Sequence, residues 1–288
     1  LKSSQKKDNA SLGNNKVSPY VFDDKKKSVS DLALQVMAHI NDAAILSPLS
    51  LFSLTLLASP KRALPKEELF YLLSHLIVIL KESSYSKSSK FPYEESLENL
   101  LKEVMKLSLL KSFKHPAGDI YHIDEEESSL VKYYANNALH FFIVPSLMSS
   151  FFRYRDHIEE DEIISHMSLI YPLLQEDYFL PLGKERMKET LASTLRAFLK
   201  LGLLEKTSQS TLKRAPIFSQ EFSSLRLIEQ IFHPTLEYYA LYVVLLASNK
   251  TGAGVSLTSW QKECQVMSER LAFLRGGHQL SIERKTLF

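Results

Sequence analysis

The chain has 288 residues, of which 45% are hydrophobic and 24% charged, as is ordinary for a folded globular protein. Its formal net charge of +2 gives no overall field that would attract nucleic acid or anionic lipid. The single cysteine, Cys264, excludes an internal disulfide, and the 8 glycines argue against a glycine-rich nucleotide-binding fold and for a mainly helical one.

The two ends predict that the chain is a piece of a longer protein. It starts at Leu1 without a methionine, and no apolar core of a signal peptide follows its first lysines. It stops at Phe288 without a recognisable capping element. Residues 1–27 are rich in Lys, Ser, Asn and Asp, and they are predicted to be a disordered linker because they have few apolar side chains to bury. Contact of the lysines with lipid head groups is the alternative.

Four helices are predicted between residues 28 and 107. The first begins at Ser28 and carries Leu32, Val36, Ile40 and Ala44 at helical spacing. Ser-Pro pairs end the first helix and the second. The second, third and fourth helices are predicted over residues 49–58, 65–80 and 93–107.

Two later stretches predict small β-hairpins. Residues 109–114 and 119–123 flank a His-Pro-Ala-Gly turn. Residues 201–205 and 212–217 follow a helix predicted over residues 184–200. Helices followed by a hairpin give a winged-helix-like outline in both places, although no residue-level repeat joins the two copies.

An uncharged segment, residues 133–152, lies between the two hairpins and contains Asn136, Asn137, His140 and Pro145. A polar group is costly to bury unless it finds a hydrogen-bond partner. We therefore predict a buried helix at the middle of a large structure. A membrane-spanning helix needs roughly 20 apolar residues, and the polar side chains and the proline argue against a spanning helix. Contact with the membrane interface is the alternative to a buried helix.

The rest of the chain is also predicted to be helical, which makes the fold class mainly α: a multi-helix region with one or two small β-hairpins. Helices are predicted over residues 158–174 and 257–275, and two more over residues 219–248, broken near His233-Pro234. We predict one helical subdomain over residues 28–152, with the first hairpin and the central apolar helix, and a second over residues 153–288.

The residues by themselves predict no catalytic residue, no cofactor and no metal site. His157 with Asp161, and Glu162 with His166, are four apart on a predicted helix, but neither pair forms His-Glu-x-x-His, so ordinary surface pairs are favoured. Cys264 is predicted to be a small core residue. The loop at residues 251–254 lacks the lysine of a phosphate-binding loop.

Nucleic-acid binding has only the winged-helix outline in its favour. The helix predicted over residues 184–200 interleaves Glu185 and Glu189 with its basic residues, which weakens any positive face. A protein-interaction or structural module without nucleic acid is favoured. The basic residues are Lys184, Arg186, Lys188, Arg196 and Lys200.

Several motifs occur in an order that resembles the bacterial inner-membrane type of glycerol-3-phosphate acyltransferase, over most of residues 28–288. The most specific motif is Tyr133-Tyr134-x-Asn136-Asn137-x-x-His140 continuing to Pro145-Ser146-Leu147. The other motifs are His39-Ile40-Asn41-Asp42-Ala43-Ala44, Leu56-Leu57-Ala58-Ser59, Gly118-Asp119-Ile120, Tyr171-Pro172-Leu173-Leu174, Leu245-Leu246-Ala247-Ser248-Asn249 and Arg270-Leu271-x-x-Leu274.

The resemblance implies the C-terminal region beyond the catalytic domain of that family. The family transfers an acyl chain from acyl-CoA or acyl carrier protein to glycerol 3-phosphate and makes lysophosphatidate for phospholipid synthesis. Its catalytic signature is His-x-x-x-x-Asp, and none of the 9 histidines here begins such a pair. The implied function is therefore non-catalytic.

The implied partners are the catalytic domain of the same parent chain, the substrates through that domain, and the membrane surface. The implied location is the cytoplasmic side of the inner membrane. Tyr133, Tyr134, Asn136, Asn137, His140 and Pro145 are expected to be structural, as a buried hydrogen-bond network, and substrate contact is the alternative. A free-standing winged-helix-like interaction or regulatory module stays open as a second function.

Overall fold

The structure is a computed structural model that describes residues 25–83, 91–116, 118–180, 184–208, 210–248 and 256–274. Helices dominate these residues and the strands form two small antiparallel sheets, so the predicted fold class is confirmed. The helices are α1 (Lys25–Asp42), α2 (Pro48–Ala58), α3 (Lys66–Glu82), α4 (Leu97–Lys106), α5 (Ser128–Ser150), α6 (Glu160–Tyr178), α7 (Lys184–Lys200), α8 (Gln220–Ser248) and α9 (Leu257–Leu274). The strands are β1 (Ala63–Pro65), β2 (Lys111–His115), β3 (Gly118–His122), β4 (His157–Glu159), β5 (Leu204–Lys206) and β6 (Thr211–Arg214), and a short 3₁₀ turn (Pro60–Arg62) precedes β1.

Two units with the same topology follow one another. In the first unit, α2, β1, α3, α4, β2 and β3 form a helix–strand–helix–helix–strand–strand order with the sheet order β1-β3-β2. The second unit repeats that order with α5, β4, α6, α7, β5 and β6, and its sheet order is β4-β6-β5. Both winged-helix-like outlines are therefore present, and each predicted hairpin gains a third strand from just after the first helix of its unit.

The third strands are too short for a period-2 pattern to be visible in the sequence. β1 pairs with β3 through Ala63 opposite His122 and Pro65 opposite Ile120. β4 pairs with β6 in the same antiparallel manner, with Ile158 opposite Leu212. Since each strand has only three residues, its position depends on the hairpin that it joins.

Helix α5 lies at the centre, as the uncharged segment predicts. It packs against α2 of the first unit and against α8. Every residue from 141 to 149 is buried, and Phe142 and Ile143 are completely inaccessible. Pro145 lies inside α5 without ending it, and the hydroxyl of Ser149 donates to the Pro145 carbonyl (3.0 Å). One hydrophobic core therefore runs through both units.

The predicted break near Pro234 is wrong, because α8 runs continuously through it. A proline inside a helix removes one backbone N–H and crowds the carbonyl four residues earlier. The hydroxyl of Ser146 on α5 supplies contacts in that turn. It accepts from the Phe232 N–H (3.0 Å) and donates to the Glu229 carbonyl (2.9 Å). The neighbouring helix therefore stabilises a turn that a local pattern predicts to be broken.

Helix α1 forms as predicted, but its apolar stripe faces outward. Leu32, Val36 and Ile40 are 61%, 47% and 55% exposed. The α1 side chains on the opposite face, Leu34 and Ala38, are half-buried. Only the C-terminal end of α1 is therefore firmly attached to the rest of the described structure.

The division into subdomains at residue 152 stays a prediction. So does disorder over residues 1–24, which lie outside the described residues, whereas residues 25–27, also predicted to be disordered, belong to α1. The predicted loop at residues 251–254 lies outside them too. In the described part, no helix is both long and apolar enough to cross a membrane.

Candidate functional site

A cavity of about 1170 Å³ lies where α1, α2, α5, α6 and α8 meet. The end of α1, the turn after α2, the first half of α5, the end of α6 and the middle of α8 form its walls. Cavities that bind small organic molecules have volumes of about 300–1,000 Å³. The space is therefore large enough for an organic ligand bigger than a simple metabolite.

Three cations lie on one side of this cavity. Lys61 and Arg62 come from the turn between α2 and β1, and Lys132 comes from the second turn of α5. Glu125 is the one carboxylate in this corner among the described lining residues. We call Lys61, Arg62, Lys132 and Glu125 the basic corner, and its formal charges leave an excess of positive charge.

The first sheet brings the two halves of the basic corner together. The Ile123 N–H donates to the Arg62 carbonyl (3.2 Å), which continues the β1–β3 pairing and places the turn after α2 beside the start of α5. The Arg62 guanidinium then donates to the Ser128 hydroxyl (2.8 Å). The position of Arg62 is therefore fixed by two hydrogen bonds, one from its backbone and one from its side chain.

The backbone at Lys61 and Arg62 is strained. Both residues have left-handed backbone angles, with φ of 55° and 52°. Residues other than glycine adopt this conformation at a cost of about 1–2 kcal/mol each. Two such residues in succession persist only where the surrounding structure enforces them.

Two cations of the basic corner, Lys132 and Arg62, are partly removed from water, whereas Lys61 is exposed. Burial lowers the pKa of the Lys132 ammonium, and the neighbouring Arg62 guanidinium lowers it further. Burial also lowers the pKa of Arg62, and Glu125 partly offsets this effect. Both effects show that positive charge is held here in a less favourable environment than bulk solvent.

His140 and Asn41 tie α1 to the cavity wall. The imidazole of His140 donates a hydrogen bond to the backbone carbonyl of Asn41, and burial lowers the pKa of His140 to about 4. The side-chain amide of Asn41 donates to the carbonyls of Tyr178 (2.8 Å) and Phe179 (3.4 Å), where α6 ends with Phe179 in the left-handed conformation. Asn41 therefore caps the C-terminal end of α6 with its side chain and accepts a hydrogen bond from α5 with its backbone carbonyl.

Tyrosines form the wall opposite the basic corner. The Tyr239 hydroxyl donates to the Asp177 carboxylate. Burial raises the pKa of Tyr239 well above its ordinary value, and this hydrogen bond raises it further. Burial also raises the pKa values of Tyr178 and Tyr238. These phenols are therefore neutral at physiological pH.

A buried carboxylate lies beside the cavity, on α8. Glu229 is 1% exposed and binds the Arg153 guanidinium, while its other oxygen lies 2.6 Å from Arg226 Nη1. His233 Nδ1 is 3.2 Å from Glu229 Oε1, and Gln230 donates to Oε2 (3.1 Å). We call these residues the Glu229 cluster. Through Arg153, which follows α5, the cluster joins the segment after α5 to α8.

The residues singled out by sequence do not form one buried network. Tyr133 is 62% exposed, Asn136 and Asn137 are also exposed, and Tyr134 is half-buried. Tyr133, Asn136 and Asn137 are therefore not buried as expected, because the first half of α5 covers the core with only one face, whereas Tyr134 packs against the core. His140 and Pro145 do face inward. The structural role of the whole set stays a prediction.

The two predicted acid–histidine pairs have other partners, and His157 lies on β4 rather than on α6. Glu162 pairs with Arg155, and His157 Nδ1 lies 3.1 Å from Asp156 Oδ1. The His166 ring bonds to the Glu162 carbonyl rather than to its carboxylate (2.7 Å). Among the described residues no three His, Cys, Asp or Glu side chains are placed to hold a metal.

Cys264 is buried on α9, and burial raises the pKa of its thiol, as for a core cysteine. On α7, Arg186 and Lys188 lie near Glu189 (3.8 Å) and Glu185 (3.6 Å). The interleaved charges therefore compensate one another, as the sequence predicts.

Sequence reasoning missed the basic corner and the Glu229 cluster. Lys61 and Arg62 are far from Lys132 in sequence, and only the sheet brings them together. The Glu229 cluster did leave a signal, because Glu229, His233 and Glu237 recur every four residues on one helix. A second signal is positional, because Arg62 and Arg153 each follow the first helix of their unit. Each also bonds to the helix that follows the sheet of its unit: Arg62 bonds to α5, and Arg153 bonds to α8.

The fold and the cavity define a mainly helical protein with two successive winged-helix-like units and a partly open cavity, whose described lining residues hold no recognisable catalytic constellation. The chain belongs to the glycerol-3-phosphate acyltransferase C-terminal region family, whose model matches residues 3–288. The predicted resemblance is therefore confirmed.

Curated relatives of this chain are named glycerol-3-phosphate acyltransferase. The one from Pseudomonas fluorescens (strain SBW25) is 29% identical over 262 residues, which cover 91% of this chain and 31% of the relative. The one from Pseudomonas paraeruginosa (strain DSM 24068 / PA7) is 30% identical over 259 residues, which cover 89% of this chain and 30% of the relative. The chain thus spans under a third of these relatives' length. No solved structure matches it significantly.

Proposed function

We propose that this chain is the non-catalytic C-terminal part of a glycerol-3-phosphate acyltransferase, an enzyme that moves an acyl group from acyl-CoA or acyl carrier protein to glycerol 3-phosphate in phospholipid synthesis. The match of residues 3–288 to the C-terminal region of that family carries the proposal. The absence of a His-x-x-x-x-Asp pair at any of the 9 histidines supports a non-catalytic role.

The proposed partner is the catalytic acyltransferase domain of the same parent protein, which would bring the substrates. The outward apolar stripe of α1, Leu32, Val36 and Ile40, supports this partner. A helix that exposes a continuous apolar stripe is typical of an interaction surface. The relatives also contain more than twice as much additional sequence as the matched part, since the match covers 31% of the P. fluorescens relative.

The purified chain alone is expected to make no lysophosphatidate from radiolabelled palmitoyl-CoA and glycerol 3-phosphate. Product formation by residues 1–288 would overturn the proposal.

The P. fluorescens relative without its matched C-terminal region is expected to bind the chain in sedimentation experiments. Val36→Asp places a charge on the apolar stripe and should weaken this association at least tenfold, whereas Gln35→Asp adds the same charge at an exposed polar position of α1 and should leave it unchanged. Equal effects of the two substitutions would exclude the stripe as the contact.

A second proposed contact is the cytoplasmic face of the inner membrane. It is supported by exposed apolar side chains on α9 and the C-terminal half of α8, which could enter the interface between head groups and acyl chains. They are Val243, Val244, Leu246, Leu257, Val266 and Phe273.

The chain is therefore expected to float with vesicles of phosphatidylethanolamine and phosphatidylglycerol in a density gradient. Phe273→Ser should reduce the bound fraction, because Phe273 is 81% exposed on α9. Phe218→Ser is the matched control, since Phe218 is fully exposed but lies before α8, away from these residues. Failure of the unaltered chain to float would contradict the membrane contact and leave the acyltransferase assignment standing.

The alternative is a free-standing winged-helix-like interaction or regulatory module. The two successive units with the same topology favour it. The genomic reading frame distinguishes the two functions, because an open frame that continues upstream of Leu1 through a His-x-x-x-x-Asp motif supports the acyltransferase, and a start codon close to Leu1 supports the module.

A further inference from the structure

The basic corner has features that packing of the helices does not require. Lys61, Arg62 and Lys132 gather at one end of a cavity of about 1170 Å³, and Glu125 is the one acidic side chain beside them among the described lining residues. Two of the three cations lie on a turn that keeps consecutive left-handed backbone angles. Strained turns of this kind concentrate at ligand-binding sites.

Partial burial makes two of these cations, Lys132 and Arg62, suited to an anion. The pKa values of Lys132 and Arg62 are both lowered by burial, and the proximity of Arg62 lowers that of Lys132 further. An anion placed between them would remove this repulsion and favour both charged forms. Charge-assisted hydrogen bonds from arginine and lysine are also the usual means of holding phosphate.

The balance of charge indicates the kind of anion. Three cations and one carboxylate leave a formal charge of about +2, which matches a phosphate monoester dianion better than a single carboxylate. Arg62 is already oriented by its bond to Ser128 (2.8 Å), so little side-chain entropy remains to be lost on binding.

The space beside the corner indicates what the phosphate is attached to. Apolar side chains of Leu54, Leu57, Ile123 and Leu139 line the adjoining wall. Ligand sites combine such apolar walls with a few placed polar groups. The exposed amide of Asn136, one turn after Lys132 on α5, also lines the cavity and could bind a hydroxyl group.

We propose that the basic corner binds the phosphate group of an organic phosphate monoester, whose organic part occupies the cavity. The proposal assigns no catalytic step to this site. It does not rest on the proposed acyltransferase function, since a phosphate ligand would suit an interaction module equally.

Isothermal titration calorimetry on the 288-residue chain tests the site. Glycerol 3-phosphate and coenzyme A are the two organic phosphates, inorganic phosphate is the probe without an organic part, and glycerol is the probe without charge. At least one organic phosphate is expected to bind with a submillimolar Kd, more tightly than inorganic phosphate, and glycerol should not bind. The tighter of the two organic phosphates identifies the source. No binding, or inorganic phosphate binding as tightly as either, would overturn the proposal.

Substitutions locate the site. Lys132→Gln and Arg62→Gln each remove a charge-assisted hydrogen bond and should weaken binding about tenfold or more. Arg62→Lys keeps the charge and should have a smaller effect. Lys188→Gln on α7 is the matched control, because Lys188 is exposed and no described residue of α7 lines the cavity, and it should leave the Kd unchanged. Equal effects of Lys132→Gln and Lys188→Gln would refute the location.

A measurement on the unaltered chain covers the case in which a substitution disturbs folding. On titration with the organic phosphate that binds, the backbone amide resonances of Lys61, Arg62 and Ile123 should shift in nuclear magnetic resonance spectra. Shifts confined to other parts of the chain would contradict the proposal even if binding is observed.

Discussion

Replacing Glu229 with glutamine is expected to lower the free energy of unfolding by about 3 kcal/mol. Glu229 is 1% exposed, and it faces the guanidinium groups of Arg153 and Arg226 and the ring of His233. The glutamine amide keeps the size of the side chain but removes the charge, so the partly buried guanidiniums lose their counter-ion. Removing one member of a buried ion pair is far more destabilising than the pair itself is stabilising.

Urea denaturation measures this effect, with Glu189→Gln as the control. Glu189 is an exposed carboxylate on α7, 3.8 Å from Arg186 Nη1. Loss of an exposed pair changes stability by about 0–1 kcal/mol. If the two substitutions gave similar losses, the Glu229 cluster would not act as a buried ion-pair network.

Acidification is expected to weaken the fold through His140. Burial lowers its pKa from 6.5 to about 4 in the folded chain, so the unfolded chain binds the proton more readily. As the pH falls from about 6.5 towards 4, the unfolded state gains protons that the folded state does not, and stability is lost over that window. A difference of about 2.5 pH units at 1.36 kcal/mol each corresponds to roughly 3 kcal/mol.

The test compares the free energy of unfolding at pH 7 and at pH 4.5 in the unaltered chain and in His140→Gln. Glutamine can still donate to the Asn41 carbonyl but does not titrate, so its pH dependence should be flatter by most of the expected amount. Burial also lowers the pKa of His75. His75→Gln therefore measures the contribution of His75 to the pH dependence of stability. The carboxylates contribute equally to the unaltered chain and to both variants, so their effect cancels in the comparison. An unchanged slope in His140→Gln would show that His140 is solvated in solution.

Local patterns predicted most helices and both hairpins because their signals lie within one element. The helix over Lys184–Lys200 has the predicted bounds, since periodicity and flanking breaks coincide there. The strands β1 and β4 could not be predicted, because a strand of three residues depends on a pairing partner far away in sequence. Pro234 was misread for the same reason, since Ser146 of α5 stabilises its turn.

The candidate site was the harder part to predict. His140 was found because an imidazole in an apolar run is conspicuous. The uncharged run containing Tyr133 and Asn136 indicated an interior position, whereas the helix buries only one face there. The basic corner combines residues from two connecting turns and one helix, and no single window of sequence contains them. The apolar residues of the α1 stripe have the same spacing as those of a helix packed in a core. This pattern alone does not distinguish a core face from a docking surface.

Helix α5 opens the second unit and also fills the groove that the first unit presents through α2. Removing either unit would expose the apolar surface through which α2 and α5 pack. The two winged-helix-like units therefore behave as a fused pair, in which damage to either one is felt by both.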